Sequence, residues 1–449
     1  MRTFYVLILL ISLVINAVFL YRLNKKNGGV SIASGALFSL IFYFHIIPLL
    51  IYTGIASDDN NAFIKIILDA ELSQVIKAVI LISIFSFCIY IFGANKLVLR
   101  EKNNETELIE KKANGLLKFF ALFTFIVGGV SFLFYVMSFG GFQQMLHNSA
   151  HIRSFSIDST KYIDGLNALL IVPTRLILAA PILLFAVCRS ENKKAYKVFF
   201  VFSIVLAAMF LLFNSGKTQI VQFVVPFAVI VLSKNLKHPW TFAMVVGLLS
   251  LPLLGVFDSV FYYFGYGKWE LQELNLSSYV ESFAYPFANL LNIDTTLELS
   301  GFQFFSIVPM SIAGLMPGMN YVPSYTYTSM LYNGVNWETK FGVPADILSV
   351  GYMQCGFVGV MFVGSLIGIL SSAINQRYVV LKEKRKAYEP IMIAVTSLMF
   401  TFVVDADLGA MLKGTYLLYI GCICLLLSCI RKTTLGYREK DALIMRGEI

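Results

Sequence analysis

The residues best suited to chemistry are a few charged and aromatic side chains stranded in an otherwise apolar sequence. Arg175 falls inside the apolar block 166–188. A helix starting at Leu166 would carry it roughly 13–14 Å inward at about 1.5 Å per residue, near the middle of a bilayer. An arginine at that depth costs about 2.5–3.5 kcal/mol on insertion scales and faces a partner or a water-filled cavity. Read as function, Arg175 is an anion site; read as structure, it is half of a buried ion pair. Arg153 and Lys217 are the other basic residues expected near the same mouth, with Lys161 beside them. A planar guanidinium fork and an ammonium point charge together suit phosphate or diphosphate.

Titratable groups that could serve as a base are Asp346, Glu338 and His151, with Asp346 the first choice because it stands at the head of an apolar block. Asp346 reads equally as the N-cap of that block's helix. Tyr285 and Asn289 recur at helical spacing with Glu281 and Asn292, which describes either a sugar groove or a wet helix face. Tyr325 and Trp337 lie in an aromatic, proline-broken stretch that also holds Tyr321, Tyr327 and Tyr332. Flat aromatic faces with polar tips suit carbohydrate, and they equally suit a membrane-interface belt. Gly216-Lys217-Thr218 lacks the glycine that a phosphate-binding loop needs five positions earlier, where Leu211 stands. The six cysteines offer no zinc spacing and no disulfide framework. No metal site is expected.

The elements that must position these groups follow from composition. The chain has 449 residues, 58% hydrophobic and only 14% charged. Soluble domains run nearer 45–50% apolar and about 25% charged, so a multidomain soluble enzyme and a disordered chain are both excluded. Apolar blocks at 3–21, 31–55, 74–95, 119–139, 166–188, 198–213, 219–233, 241–262, 347–374, 390–404 and 414–430 predict an all-α, polytopic integral membrane protein with about 11 transmembrane helices. Of the 35 Lys and Arg residues, 25 fall in the joints after the odd-numbered blocks: Arg22 to Lys26, Lys96 to Lys118, Arg189 to Lys197, Lys234 and Lys237, Arg377 to Lys386, and Arg431 to Arg446. The positive-inside rule then places the C-terminus in the cytoplasm and the N-terminus outside. The net charge of +9 is therefore orientation chemistry and not a nucleic-acid surface. The run from Phe4 to Tyr21 ends on Arg22 without a small-residue cleavage pattern and reads as a retained span.

One membrane domain, 1–449, is expected, with an external loop at 140–165 and a larger one at 263–346. Loops of that length are uncommon unless functional, so the chemistry is expected on the outer face. Within the larger loop, residues 301–316 are apolar but too short to span and are expected to lie along the interface or re-enter.

The layout resembles the O-antigen polymerase family, the oligosaccharide repeat-unit polymerases. The stretch Gly342 to Val360, GVPADILSVGYMQCGFVGV, is similar to the family's late motif, in which a small-Pro turn opens a span with Gly-Tyr and G-x-x-G. Asn214 to Gln219, NSGKTQ, resembles its Ser-Gly-basic turn, and Gly140-Gly141 followed by Arg153 resembles a third feature. The chain departs from the pattern where Val350 and Gly351 precede Tyr352, and where Lys217 stands in place of an arginine. The resemblance implies a metal-independent, GT-C-like membrane glycosyltransferase of the bacterial inner membrane, with no cofactor. Its substrates would be polyprenyl-diphosphate-linked oligosaccharides, polymerised on the outer membrane face. A chain-length regulator and a flippase would be partners alongside membrane lipid. The rival readings are an O-antigen ligase and a flippase or transporter for the same lipid-linked oligosaccharide.

Overall fold

The computed structural model describes residues 2–56, 61–94, 106–145, 173–214, 280–313, 324–334, 342–380 and 385–406. It also describes Leu170, residues 223–224 and 226–230, and positions 241, 245, 255–256, 259 and 263. Among them every regular element is helical and no strand occurs. In chain order these are α1 (Arg2–Asn27), α2 (Ile32–Tyr52), α3 (Ala62–Asp69), α4 (Leu72–Gly93), α5 (Thr106–Ser138), α6 (Ala180–Ser190) and α7 (Lys194–Asn214). They continue as α8 (Tyr285–Leu291), α9 (Ile293–Ser300), α10 (Ile307–Ala313), α11 (Ser324–Asn333), α12 (Ile347–Val380) and α13 (Arg385–Phe402).

Six of the described helices are long and apolar enough to cross a membrane: α1, α2, α4, α5 from Asn114, α7 and α12. They coincide with the expected blocks at 3–21, 31–55, 74–95, 119–139, 198–213 and 347–374. Only fragments of the blocks at 219–233 and 241–262 are described, and 414–430 lies outside the described residues. Local chemistry sets several helix ends. Ser31 caps α2 in a reciprocal pair with Ser34, Asn61 accepts from Phe63 N and Ile64 N to start α3, and the Glu71 N–H donates to Gln74 Oε1 at the head of α4.

Two helices differ from the continuous spans expected. The block 166–188 does not run as one α-helix through Arg175. A 3-10 turn, Arg175–Leu178, precedes the eleven-residue α6. The turn lies directly against α5: a Cβ on Gly128 would stand 2.6 Å from Ile177 N, so the two backbones touch there. Helix α12 is likewise broken, at Cys355 (φ −153°, ψ 34°) and Gly356 (φ 61°, ψ −137°). The positive φ at 356 is one that glycine adopts without Cβ strain. The break turns the chain back on itself, so that Gly359 lies against the Gly351 carbonyl, which leaves no room for a side chain at 359.

Much of the stretch expected as the large external loop is also folded in. Residues 284 and 286–291 are buried, and α9 and α11 pack beside them.

The main hydrophobic cluster gathers α1, α2, α4, α6, α8, α12 and α13, while a second one joins Phe132 and Tyr135 of α5 to Ile177 and Leu178 and to Phe210 of α7. Helices α4 and α12 pack most extensively and closely: a Cβ on Gly368 would stand 2.8 Å from Phe92 Cβ and 3.0 Å from Gly93 N. Without water to drive helix association inside a bilayer, such close backbone approach is what holds helices together.

Candidate functional site

Two interruptions of regular helix meet side by side, and a third lies near their level. Helix α2 contains a π-turn at its middle, Phe42–Ile46. The rings of Phe42 and Tyr43 meet Phe400 of α13 at 5.2 and 4.9 Å, and Ser39 Oγ donates to Phe400 O. Helix α13 ends two residues later, and 403–406 continue as non-helical chain. The approach to α12 runs beside it: Ile347 N donates to Val403 O and Ala406 N to Ala345 O, both at 2.9 Å. Phe283, just before α8, also meets Phe42 and Tyr43.

The Arg175 turn lies near the same level. Helix α6 packs on α13, and Arg189 meets Glu389 at 3.4 Å. Fourteen residues back from Arg189 is Arg175, and fourteen on from Glu389 is Val403. Non-helical backbone at membrane depth is tolerated only where protein buries it or where it lines a wet cavity. A belt of such breaks is therefore the place to look for a site.

Asp346 lies in this belt. It is fully buried, and its Oδ1 accepts from Leu348 N and Ser349 N at 3.0 Å while Oδ2 accepts from Ser349 Oγ at 2.6 Å. This is the geometry of an N-cap, and three hydrogen bonds leave the carboxylate capacity for a further donor. Around it, Asn289 of α8 is also fully buried: its Nδ2 donates to Pro344 O at 2.9 Å and its Oδ1 accepts from Tyr332 Oη of α11 at 2.8 Å. Burial first, and the Asp346 carboxylate second, hold the Tyr332 phenol well above its ordinary range, so it remains a neutral donor. The Tyr285 hydroxyl donates to Val404 O at 3.4 Å. Phe63 closes the flank, with its ring 4.8 Å from Tyr332 and 6.2 Å from Tyr285.

The structure thus brings together Asp346, Asn289 and Tyr285 from the residues singled out in the sequence. Helix α8 is a buried helix and not a wet one. Tyr325 lies close by but is committed to packing, its ring against the Gly342 backbone. Arg175 belongs to the second cluster, with Tyr135 as an electrostatic neighbour. His151, Arg153, Lys217, Trp337 and Glu338 lie outside the described residues. Among the described residues no three His, Cys, Asp or Glu side chains group as metal ligands.

Three features escaped the sequence reading. Tyr332 was one aromatic among many, and only its position opposite Asn289 marks it. Lys77 of α4 pairs with Asp294 of α9 and lies 4.6 Å from the centre of the Tyr352 ring. It is a charge inside an apolar block, the same signal that marks Arg175. His45, on the π-turn, forms a buried cluster with α1. Its Nδ1 faces the Leu40 carbonyl at 3.2 Å and must carry the proton, which leaves Nε2 to accept from Ser12 Oγ at 2.9 Å and Asn16 Nδ2 at 3.4 Å.

The corner of α12 is sealed from above. Gln303 N and Phe304 N donate to the carbonyls of Met353 and Gln354, Phe305 N donates to Gln354 Oε1, and Gln354 Nε2 donates to Gln303 Oε1. The backbone groups freed at the break are thereby satisfied by segment 303–305, at the cost of left-handed φ at Phe304 (45°) and Phe305 (62°).

Compared with family models, with curated proteins and with solved structures, the chain matches none.

Proposed function

We propose that the protein polymerises lipid-linked oligosaccharide repeat units, as a GT-C-like glycosyltransferase of the O-antigen polymerase type. In this reading it works on the outer face of a bacterial cytoplasmic membrane. The observation that carries the reading is the buried carboxylate of Asp346, set in a belt of broken helices with Asn289, Tyr285 and Tyr332. In the reaction, an acceptor sugar hydroxyl forms the new glycosidic bond as the anomeric carbon–phosphate oxygen bond breaks. Asp346 takes the hydroxyl proton, and the diphosphate leaves with its carrier lipid. Basic groups stabilise the charge that develops on that leaving group; Arg175, Arg153 and Lys217 are the candidates. Glu338 and His151 are the alternative bases, and Tyr325 and Trp337 the aromatic surfaces for sugar.

Asp346 is closed to solvent in this conformation, so substrate access requires the elements around it to move, α11 among them. That helix is held on the 342–346 segment by Thr328 Oγ1 donating to Val343 O and by Val343 N donating to Ser329 Oγ.

A transporter of the same lipid-linked oligosaccharide is the second reading, because discontinuous helices meeting at mid-depth are also how transporters build their sites. One experiment separates the two. In a cell that makes the glycan, Asp346→Asn and Arg175→Ala are expected to leave single repeat units on the surface lipid and to abolish the ladder of longer chains on a gel. An unchanged ladder in both variants would remove these residues from the reaction. Loss of every surface glycan, single units included, would favour transport or ligation.

A further inference from the structure

We infer that Lys77 is a binding residue for the diphosphate of the lipid-linked substrate, with Asp294 occupying the anion's place while the site is empty. The inference rests on the polymerase reading above. Its geometric basis is independent of that reading. Lys77 projects from α4 at the end of the bundle where α12 turns back at Cys355 and Gly356. Its side chain is 23% exposed and is held between the Asp294 carboxylate and the face of Tyr352. Among the described residues of that end, Arg2 and Lys65 are exposed to solvent instead.

The three groups come from the elements that build the candidate site. Tyr352 lies six residues after Asp346 on the buried half of α12, and Asp294 follows Asn289 across the short joint between α8 and α9. Through Tyr352 and Asp294, Lys77 is therefore joined to the two segments that carry Asp346 and Asn289. Its two partners are not equivalent. Tyr352 is buried and fixes the ammonium through its ring face, whereas the Asp294 side chain is 67% exposed. An ion pair with one solvated partner is weak and readily exchanged. A diphosphate carries more charge and more acceptor oxygens than a carboxylate, and it would displace Asp294 while leaving the ammonium on Tyr352.

The two roles predict opposite outcomes for the two partners. The purified full-length protein, in phosphatidylcholine nanodiscs, would be titrated with farnesyl diphosphate as a probe. Lys77→Met is expected to weaken binding at least tenfold, Lys77→Arg to retain most of it, and Asp294→Asn to leave it unchanged or tighten it. Equal weakening by Lys77→Met and Asp294→Asn would overturn the proposal, since it would show an ion pair whose integrity alone matters. Undiminished binding by Lys77→Met would overturn it too. Adding phosphatidylglycerol to the nanodiscs separates the sources of phosphate: competition at equimolar lipid and probe would assign Lys77 to bulk headgroups and overturn the diphosphate assignment, whereas no competition would support it. Because binding is read without turnover, a wild-type protein that holds the probe through Lys77 but makes no polymer would sink the polymerase reading and spare the site. A polymer ladder that persists with normal probe binding in Lys77→Met would do the reverse.

Discussion

The two halves of α12 come from one apolar stretch and end in different surroundings. Residues 347–354 are buried on every side, wrapped by α4, α8, α9, α13 and the segment 303–305. Residues 357–380 keep one face in and one face out: Val360, Gly364, Ile367, Gly368 and Ser371 are buried, while Met361, Phe362, Leu366, Ile369 and Leu370 are exposed. The second half is an ordinary spanning helix with a lipid side. The first is an internal part, and the polar groups of the candidate site gather at its head. Hydropathy is blind to this division, because lipid and protein interior both ask for apolar side chains.

The sharpest way to break the division is to block the corner that creates it. Gly359→Val places side-chain atoms where the Gly351 carbonyl already stands. Overpacking a tight contact costs about 1–3 kcal/mol where neighbours can shift, and a backbone carbonyl shifts less readily than a side chain. The variant is expected to fail to give a monodisperse species on size-exclusion chromatography. A folded Gly359→Val with wild-type melting would mean that the two halves do not meet.

A milder pair of variants sharpens the same comparison. Leu348→Ala removes a fully buried side chain from the first half, and Leu370→Ala removes one that is 50% exposed from the second. Inside a bilayer the transfer term shrinks, because lipid is as apolar as the core, but the cavity remains. The first substitution is expected to cost about 2 kcal/mol and the second within about 0.5 kcal/mol of nothing. Thermal melts in one detergent would measure both. Equal losses would place both halves in the same environment.

The sequence made the apolar blocks and the odd charges visible because both depend on residue type alone. Arg175 and Asp346 stood out as polar groups where hydrocarbon or a helix start was expected. The break at Cys355 and Gly356 did not stand out, since a glycine in an apolar helix looks the same whether it packs or turns. The burial of Asn289 sets aside the wet-face alternative for a related reason. Polar residues at helical spacing signal a wet face in a soluble protein, but in a membrane bundle the polar face turns inward. The common level of the π-turn, the Arg175 turn and the 345–347/403–406 pair depends on the register between helices distant in sequence. No local pattern encodes that register.

Two carboxylates carry the comparison to its smallest effect. Asp346 is buried and takes hydrogen bonds from Leu348 and Ser349 of its own turn, whereas Glu191, in the joint between α6 and α7, pairs with Lys118 of α5 and lies 3.6 Å from Lys193. The hydrogen bond from Lys118 is the main reason the Glu191 carboxyl titrates below its ordinary value of 4.5, with the charge of both lysines adding to it. A group whose folded pKa is depressed stabilises the fold above its unfolded pKa and loses that contribution as pH falls through the folded value. Glu191→Gln is therefore expected to lower stability slightly at pH 7, by less than about 1 kcal/mol because the pair is partly solvated. The gap between wild type and variant should close as the pH falls through the depressed Glu191 value, below 4.5, and Lys118→Met should narrow it, with Lys193 still contributing. Melting curves at pH 7, 5, 4 and 3 test this. A gap that does not narrow at all between pH 7 and pH 3 would show that Glu191 acts through packing and not charge, as the interior of the bundle does.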